Sequence, residues 1–542
     1  MGDDRGIDSR SLRTVPEALV QRYLDEGWWT DDSLGDLVAE GLAAMSDATF
    51  AVYSDVRPWH SRIGEVEQAA RAFAGSLQAR GIGPGDIVVF QLPNWVEAAI
   101  TFWGTALAGA VVVPVVHFYG AKELGYIVEV TRPSMVITAD RFGHNDYTTN
   151  YAELLGSLDT PWAIVSATDA ELPTGAIPFD ELLRTTPLDD PVPVDLDSPA
   201  IIAFTSGTTR DPKGVIHSHR TIGFEARQLS AMTARGGPPP ITGAPVGHFI
   251  GMLNAFLCSM VRHDPIHLID VWNPGEVLRV MLAEQLGMGG GATYFVTSLL
   301  DHPDFTDEHL KLMPYAGMGG SPVPVAVTER LTKLGIKVFR SYGSTEQPSI
   351  TGSTIDEVEV KRCTTDGRAL EGVEVRLDDD GQILSRGPEL FIGYTDPELT
   401  AQVIDADGWY HTGDIGVLDD DGFLTITDRL SDVIIRGGEN ISAQEVEELL
   451  LGLPAVAEVS VVAEPDDRFG ERAVAIVRLH EGAEVPSLDD VRDHLAAAGL
   501  AKQKWPESIC AVTELPRTPS GKVQKFVLRK QLREGGLEHR IS

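Results

Sequence analysis

Five short stretches of the sequence gather residues able to handle phosphate, ribose and carboxylate groups. In the first, Phe204 to Gly214 (FTSGTTRDPKG), the hydroxyls of Thr205, Ser206, Thr208 and Thr209 surround Gly207, and Lys213 follows. Hydroxyls and free backbone N–H groups in such a turn cradle phosphate oxygens, and the lysine adds positive charge. The order Lys-Gly, with no Ser or Thr after the lysine, separates it from a Walker A loop. Taken alone, it is equally readable as a polar strand-to-helix turn. In the second stretch, Ser341-Tyr342-Gly343-Ser344-Thr345-Glu346, the Tyr face suits a purine, Thr345 a phosphate and Glu346 a Mg²⁺ ion beside phosphates. The third, Gly408 to Asp414 (GWYHTGD), offers Asp414 to both hydroxyls of a ribose. The fourth is Asp428-Arg429 followed by Arg436-Gly437-Gly438-Glu439-Asn440. The fifth, Pro516 to Lys522 (PRTPSGK), is a turn that presents Lys522.

Apolar spacing indicates the elements that must hold these stretches. Val66, Ala69, Ala70, Phe73 and Leu77 recur at helical spacing and Gly81 follows as a stop. Ile87 to Leu92 reads as a strand, Trp95 onward as a helix and Val111 to Val116 as a strand, an alternation that predicts a parallel sheet covered by helices. The pattern resumes at Ala200 to Phe204 and at Val338-Phe339, directly before the first two stretches. Two Asp-rich turns, Asp378 to Gly381 and Asp419 to Gly422, lack EF-hand spacing and read as hairpin turns, so Val373 to Ile426 is expected to form an antiparallel β-subdomain. Beyond Arg429 a unit of α+β character begins, with capping boxes expected at Ser442/Glu445 and Ser487/Asp490.

Composition removes several classes of function. The chain has 542 residues and a formal charge of −36, too acidic for duplex nucleic acid or an anionic membrane as its main partner. Three distant cysteines (Cys258, Cys363, Cys510) without CxxC spacing argue against a disulfide scaffold or zinc ribbon and fit a reducing cytosol. Ala98 to Ala121 carries no charge, but its glycines, Pro114 and His117 indicate a buried helix followed by a buried strand rather than a membrane span. A soluble, cytoplasmic protein is expected. His217-Ser218-His219 places two imidazoles on one strand face, yet no third metal ligand is evident.

Taken together and in order, the five stretches resemble the adenylate-forming superfamily of acyl-CoA synthetases, adenylation domains and luciferases, from about Leu77 through Leu528. The resemblance implies an α/β fold: a large N-terminal domain (residues 1–428) with helix-covered, mainly parallel sheets plus a β-subdomain, a hinge at 429–431, and a small mobile α+β C-terminal domain (432–542). It implies that ATP and a carboxylic acid give acyl-AMP and pyrophosphate, after which coenzyme A takes the acyl group and AMP leaves. Thr205, Ser206, Gly207, Thr208, Thr209 and Lys213 would bind the β- and γ-phosphates. Gly320, Ser321 and Pro322 match the adenine-side turn, and Ser341, Tyr342 and Gly343 complete the nucleotide site, with Tyr342 on adenine. Thr345 would hold the α-phosphate, Glu346 Mg²⁺, and Asp414 with Arg429 the ribose. Lys522 matches the catalytic lysine and His248 a position lining the acyl and phosphate site; Arg436, Gly437 and Gly438 are expected in the pantetheine channel.

Four positions depart from the family pattern: Arg210 stands where Gly is usual, Ser431 at the hinge where Asp or Lys is common, and Ile435 and Gly437 where some relatives carry lysines. Phe249-Ile250-Gly251 after His248 offers no acid to pair with an ammonium, which favours an unsubstituted carboxylic acid with an apolar body. Gly289, Gly290, Gly291, Gly317 and Gly319 are expected to leave room for a bulky acyl group. The alternative is an acyl-AMP ligase loading a carrier protein. A monomer or homodimer is expected.

Overall fold

The structure, a computed structural model, describes residues 12–156, 160–205, 212–233, 236–430, 432–436, 439–466, 468–518, 521–537 and 540–541. Its centre is an eight-stranded sheet. From one edge the strands run Gly393–Tyr394, Lys213–Ser218, Pro199–Thr205, Val111–Pro114, Ile87–Gln91, Met135–Ala139, Trp162–Val165 and Ile177–Pro178. The pairings from Pro199–Thr205 outward are parallel, and the two beyond it at the opposite edge are antiparallel. Helix Val96–Leu107 packs on its strands Val111–Pro114 and Ile87–Gln91, and helix Ile63–Ala79 packs on that helix. Every residue of Val96–Leu107 is buried, and so is the uncharged stretch as far as Val116, so that part of it lies inside the protein core. No helix among the described residues is long and apolar enough to cross a membrane.

A second sheet carries the next motif: Gly290–Gly291, Tyr315–Met318 and Lys337–Tyr342 pair in parallel, then Thr351–Gly352 and Arg368–Ala369 antiparallel. The expected β-subdomain is the antiparallel set Glu374–Leu377, Gln382–Arg386, Tyr410–Leu418 and Leu424–Arg429. Both Asp-rich turns close hairpins in it. Gly381 and Gly422 each hold φ near +81°, a region that favours glycine, while the side chains of Asp378 and Asp419 accept from backbone N–H groups within the turns.

The C-terminal unit has its own sheet, dominated by the hairpin Val456–Asp466 with Gly470–Leu479, and helices Ala443–Leu450, Leu488–Ala497 and Lys525–Arg533. Ser487 and Asp490 form the full capping box. At Ser442 only half of the expected box forms. Its hydroxyl accepts from Glu445 N and donates to Thr427 O at 2.8 Å, tying the helix to strand Leu424–Arg429, while the Glu445 carboxylate that would close the box takes Lys504 Nζ at 2.6 Å.

An N-terminal strap binds the far end of the large domain. Arg13 donates its backbone N–H to Ile392 O and its guanidinium to Phe391 O and Leu390 O, and Trp29 Nε1 donates to Pro388 O. Tyr23 and Trp29 pack with Leu19 and Phe224 beneath it.

Candidate active site

The nucleotide side is built where two sheets end. Lys213 lies directly across the strand pair from Thr205, with its ammonium 5.5 Å from the centre of the Tyr394 ring. Ser206, Gly207, Thr208, Thr209 and the departing Arg210 lie outside the described residues. Strand Lys337–Tyr342 delivers the second motif. Tyr342 donates its hydroxyl to Asp414 Oδ2 at 2.7 Å, and Arg429 Nε donates to Asp414 Oδ1 at 2.6 Å. Asp414 and Arg429 face each other across the hairpin, so three residues from three separate stretches form one bonded unit. Burial, and then Asp414, raise the Tyr342 pKa well above its ordinary value, while Asp414 is the chief cause of the raised Arg429 pKa. A carboxylate has about four lone-pair sites, so Asp414 retains acceptor capacity for a ribose. The Tyr342 ring, 8% exposed, packs on Ile350, Val373, Ile383 and Leu424, which leaves little of it for a purine.

The turn after Tyr342 is tight for a steric reason. A Cβ on Gly343 would lie 1.9 Å from Pro348 O, and Ser344 N donates to Gln347 O to close the loop. Within it, Thr345 O accepts from His217 Nε2 at 2.8 Å, so that nitrogen carries the imidazole proton. Burial holds His217 neutral, with its pKa down to about 4. His219 Nδ1 accepts from Leu34 N. Both imidazoles therefore have structural partners, and no group of three or more candidate metal ligands exists among the described residues.

Glu346 is held on two sides. Its carbonyl accepts from Phe391 N at 2.8 Å and its Oε1 from the Tyr394 hydroxyl at 2.7 Å. Behind it lies a polar network that the sequence reading missed. Gln347 Nε2 donates to Glu389 Oε1 at 2.7 Å, Ser385 Oγ to Gln347 Oε1, and Ser349 Oγ to Glu225 Oε1. Burial pushes Glu389 up to about 7 and Glu225 well above its ordinary value. The available signal was a lone acid inside the run GPELFIGY, at Glu389.

On the adenine side, Gly320 adopts φ +72° and Pro322 O accepts from Thr293 Oγ1 at 3.1 Å. Ser321 Oγ is buried with no partner among the described residues. Ser341 lies against Gly319, where a Cβ would come within 2.7 Å of Ser341 Oγ.

His248 stands immediately before helix Phe249–Met252, which continues as a π-helix over Leu253–Cys258. Such bulges gather at functional sites. Only Ile250 and Asn254, one turn apart, escape burial along this run. The His248 Nδ1 atom is buried without a partner among the described residues, and burial ahead of the Lys522 charge lowers its pKa to about 4. The expectation for the glycines changes here. Cβ atoms at Gly290 and Gly317 would strike Gly317 O and the Phe339 ring at 1.9 and 2.7 Å, and Gly319 abuts Ser341. These three permit close packing rather than open volume; Gly291 alone of the five has nothing nearer than 3.8 Å.

The small domain brings Lys522 to the same place. Gly521 sits against the large domain, where its Cβ would be 3.3 Å from Tyr294 Cβ. Lys522 stays solvent-accessible, yet surrounding protein lowers its pKa, with Arg429 acting in the same sense and Asp414 and Glu346 opposing. Arg436 is not brought to the site. It donates to Glu507 Oε1 at 2.5 Å and stacks 4.2 Å from the Phe469 ring centre within the small domain. Gly437, Gly438 and Ser431 lie outside the described residues.

The sequence pattern of the AMP-binding enzyme family matches residues 43–395, and that of its C-terminal domain matches residues 445–522. The medium-chain fatty-acid–CoA ligase of Escherichia coli (strain K12) is 32% identical over 532 residues, 96% of this chain and 94% of that one. A (methyl-dioxo-octahydroindenyl)propanoyl:CoA ligase of Rhodococcus jostii (strain RHA1) is 36% identical over 484 residues, 86% of this chain and 93% of that protein. ATP-bound MatB from Rhodopseudomonas palustris superposes with a TM-score of 0.81 at 27% identity, covering 93% of this chain and 100% of that one. With the fold, the converging motifs and these matches in agreement, the chain belongs to the AMP-binding enzyme family, within the adenylate-forming superfamily.

Proposed function

We propose that this chain is an AMP-forming acyl-CoA synthetase that uses the site described above, with the roles that follow. The overall reaction joins a small-molecule carboxylic acid to coenzyme A at the expense of ATP, through acyl-AMP. The observation that carries the site assignment is the meeting of Lys522 with His248, Arg429, Asp414 and Glu346 in one electrostatic neighbourhood.

In the first half-reaction a carboxylate oxygen attacks the α-phosphorus and pyrophosphate leaves. Lys522 bridges the carboxylate and α-phosphate as negative charge builds there, and Thr345, its carbonyl fixed by His217, offers its hydroxyl to the same phosphate. Lys213 and the Thr205 loop take the outer phosphates. The Asp414–Arg429 pair holds the ribose. Neutral His248, whose buried Nδ1 has no partner among the described residues, is assigned to the acyl and phosphate junction. In the second half-reaction the CoA sulfur attacks the acyl carbonyl and AMP departs, with Gly437 and Gly438 lining the channel.

Glu346 fits a Mg²⁺ ion: Tyr394 occupies one carboxylate oxygen, leaving Oε2 without a protein partner among the described residues. With no cluster of three protein ligands among the described residues, ATP oxygens would complete the coordination, and the ion would neutralise phosphate charge. The small domain begins at 432, since Arg429 bonds Asp414 of the large domain whereas Asp432 pairs with Arg529 at 3.1 Å; residues 429–431 are the hinge. The two relatives named above, ligases of a medium-chain fatty acid and of a bicyclic propanoate, agree with an acid of apolar body. Both are CoA ligases by name, which disfavours a carrier-protein acceptor. Three buried free cysteines accord with a cytoplasmic setting, and a monomer or homodimer is our reading of the assembly. Incubation with ATP and an acid panel, with and without CoA, tests the function. Thioester and AMP are the expected products; acyl-AMP that stalls in the presence of CoA overturns the assignment of the acceptor.

A further inference from the structure

The turn that presents Lys522 is held by an arginine with no role in the chemistry just described. Gly521 adopts φ +87°, and a glycine there has wide backbone freedom, so the direction of Lys522 depends on what pins the peptide between them. Both ends of that peptide are bonded. Lys522 N donates to Thr518 Oγ1 at 3.1 Å, and Gly521 O accepts from Arg517 Nη1 at 2.7 Å. Arg517 is itself anchored: Nη2 donates to Glu458 Oε2 at 2.8 Å, and the other oxygen of Glu458 takes Arg478 Nη2 at 3.0 Å. Backbone pairing of Arg517 with Val523 closes the hairpin, and the guanidinium lies 6.0 Å from the Tyr294 ring centre across the domain boundary.

We infer that Arg517 is a positioning residue for the adenylation step, fixing the Gly521–Lys522 peptide so that Lys522 enters the large-domain site. The planar fork donates to Gly521 O and to Glu458 from two separate nitrogens held in one plane, a fixed geometry that the single nitrogen of a lysine does not reproduce. Glu458 serves as the fixed post in the strand Val456–Asp466. Its bonds from Arg478 and Arg517 outweigh the opposing effect of burial and keep it ionised. The family resemblance implies that the small domain turns for thioester formation and carries Lys522 out of the site, which leaves Arg517 nothing to position in that step. This assignment rests on the reading of Lys522 as the lysine of the first half-reaction.

The experiment measures acid-dependent ATP–pyrophosphate exchange and, separately, thioester formation from preformed acyl-AMP and CoA, using an acid that the panel shows to be turned over. Arg517→Met, which keeps the stem and removes every donor, should lower kcat of exchange about 10–100-fold, with the KM for ATP within about threefold of wild type. Thioester formation should change less than about threefold. Arg517→Lys, which keeps the pair with Glu458 but not the fork, should fall between. The double variant Arg517→Met/Lys522→Ala should be no slower in exchange than Lys522→Ala alone, since one residue acts through the other. Multiplying losses in the double variant, or equal loss in both half-reactions, would overturn the inference. If Lys522→Ala itself slows both half-reactions alike, the role of Lys522 falls and the inference with it. If only Arg517→Met lacks the exchange-specific loss, the inference falls alone. Should Arg517→Met melt early, Arg517→Lys is judged by the same split.

Discussion

Replacing Glu389 with Gln probes how the loop bearing Glu346 is supported. The carboxyl is fully buried, with Oε1 accepting from Gln347 and Oε2 meeting no partner among the described residues. Burial, opposed by the bond from Gln347 and the field of Arg13, lifts its pKa from 4.5 to about 7. Between those values the folded protein holds a proton that the unfolded chain has lost, so this group withdraws stability as pH rises. A shift of that size costs the wild type about 1 kcal/mol at about pH 5 and about 3 kcal/mol at about pH 8. Gln cannot ionise, yet it keeps an oxygen for Gln347 Nε2. The stability of Glu389→Gln relative to wild type should therefore rise by roughly 2 kcal/mol between the two pH values. Urea unfolding followed by tryptophan fluorescence, each variant at each pH, reads this as a growing gap in midpoint. A gap that stays flat or shrinks toward high pH refutes the reasoning. Pyrophosphate exchange should survive in Glu389→Gln but fall with a raised KM for ATP in Glu389→Leu, which strands Gln347 Nε2.

Lys522→Ala should slow pyrophosphate exchange about 10²–10³-fold while largely sparing transfer from preformed acyl-AMP, as separate half-reaction assays would record. Tyr342→Phe removes the hydroxyl on Asp414 and leaves the ring in place; the KM for ATP should rise about 5–50-fold with a smaller effect on the KM for the acid. Gly343→Ala forces a Cβ to within 1.9 Å of Pro348 O, so the loop must shift, and nucleotide affinity measured by calorimetry should fall by at least about tenfold.

The parts of the site that were legible in the sequence are those whose chemistry demands unusual residues at short spacing. The strand that leads to the first motif, the strand that ends at Tyr342, the hairpin that pairs Asp414 with Arg429 and the turn before Lys522 are all local. What was hidden is what meets only after folding. Glu389 reaches Gln347 across 42 residues, His217 reaches Thr345 across 128, and Arg13 reaches Phe391 across 378, with no local pattern to announce the pairing. Three of the five glycines near the acyl side, Gly290, Gly317 and Gly319, were visible but misread, because sequence cannot tell a missing Cβ that admits a ligand from one that admits a neighbouring strand. Half of the Ser442 box was lost for a related reason: the Glu445 carboxylate that would reach back to the cap is claimed by Lys504, 59 residues away.

The strap at Arg13 has a consequence for the order in which this protein can be made. Its acceptors Leu390 and Phe391 follow it by 377 and 378 residues. At about 5–20 residues per second, a ribosome needs roughly 20–75 s to deliver them. Through that interval Tyr23 and Trp29 lack the surface on which they finally rest, and the segment that grips Glu346 from behind has not been translated. Sealing the strap is thus a late event in biogenesis, paced by translation. A chain stalled before residue 388 would carry an intact nucleotide-loop strand and an uncovered aromatic cluster, a natural target for chaperones.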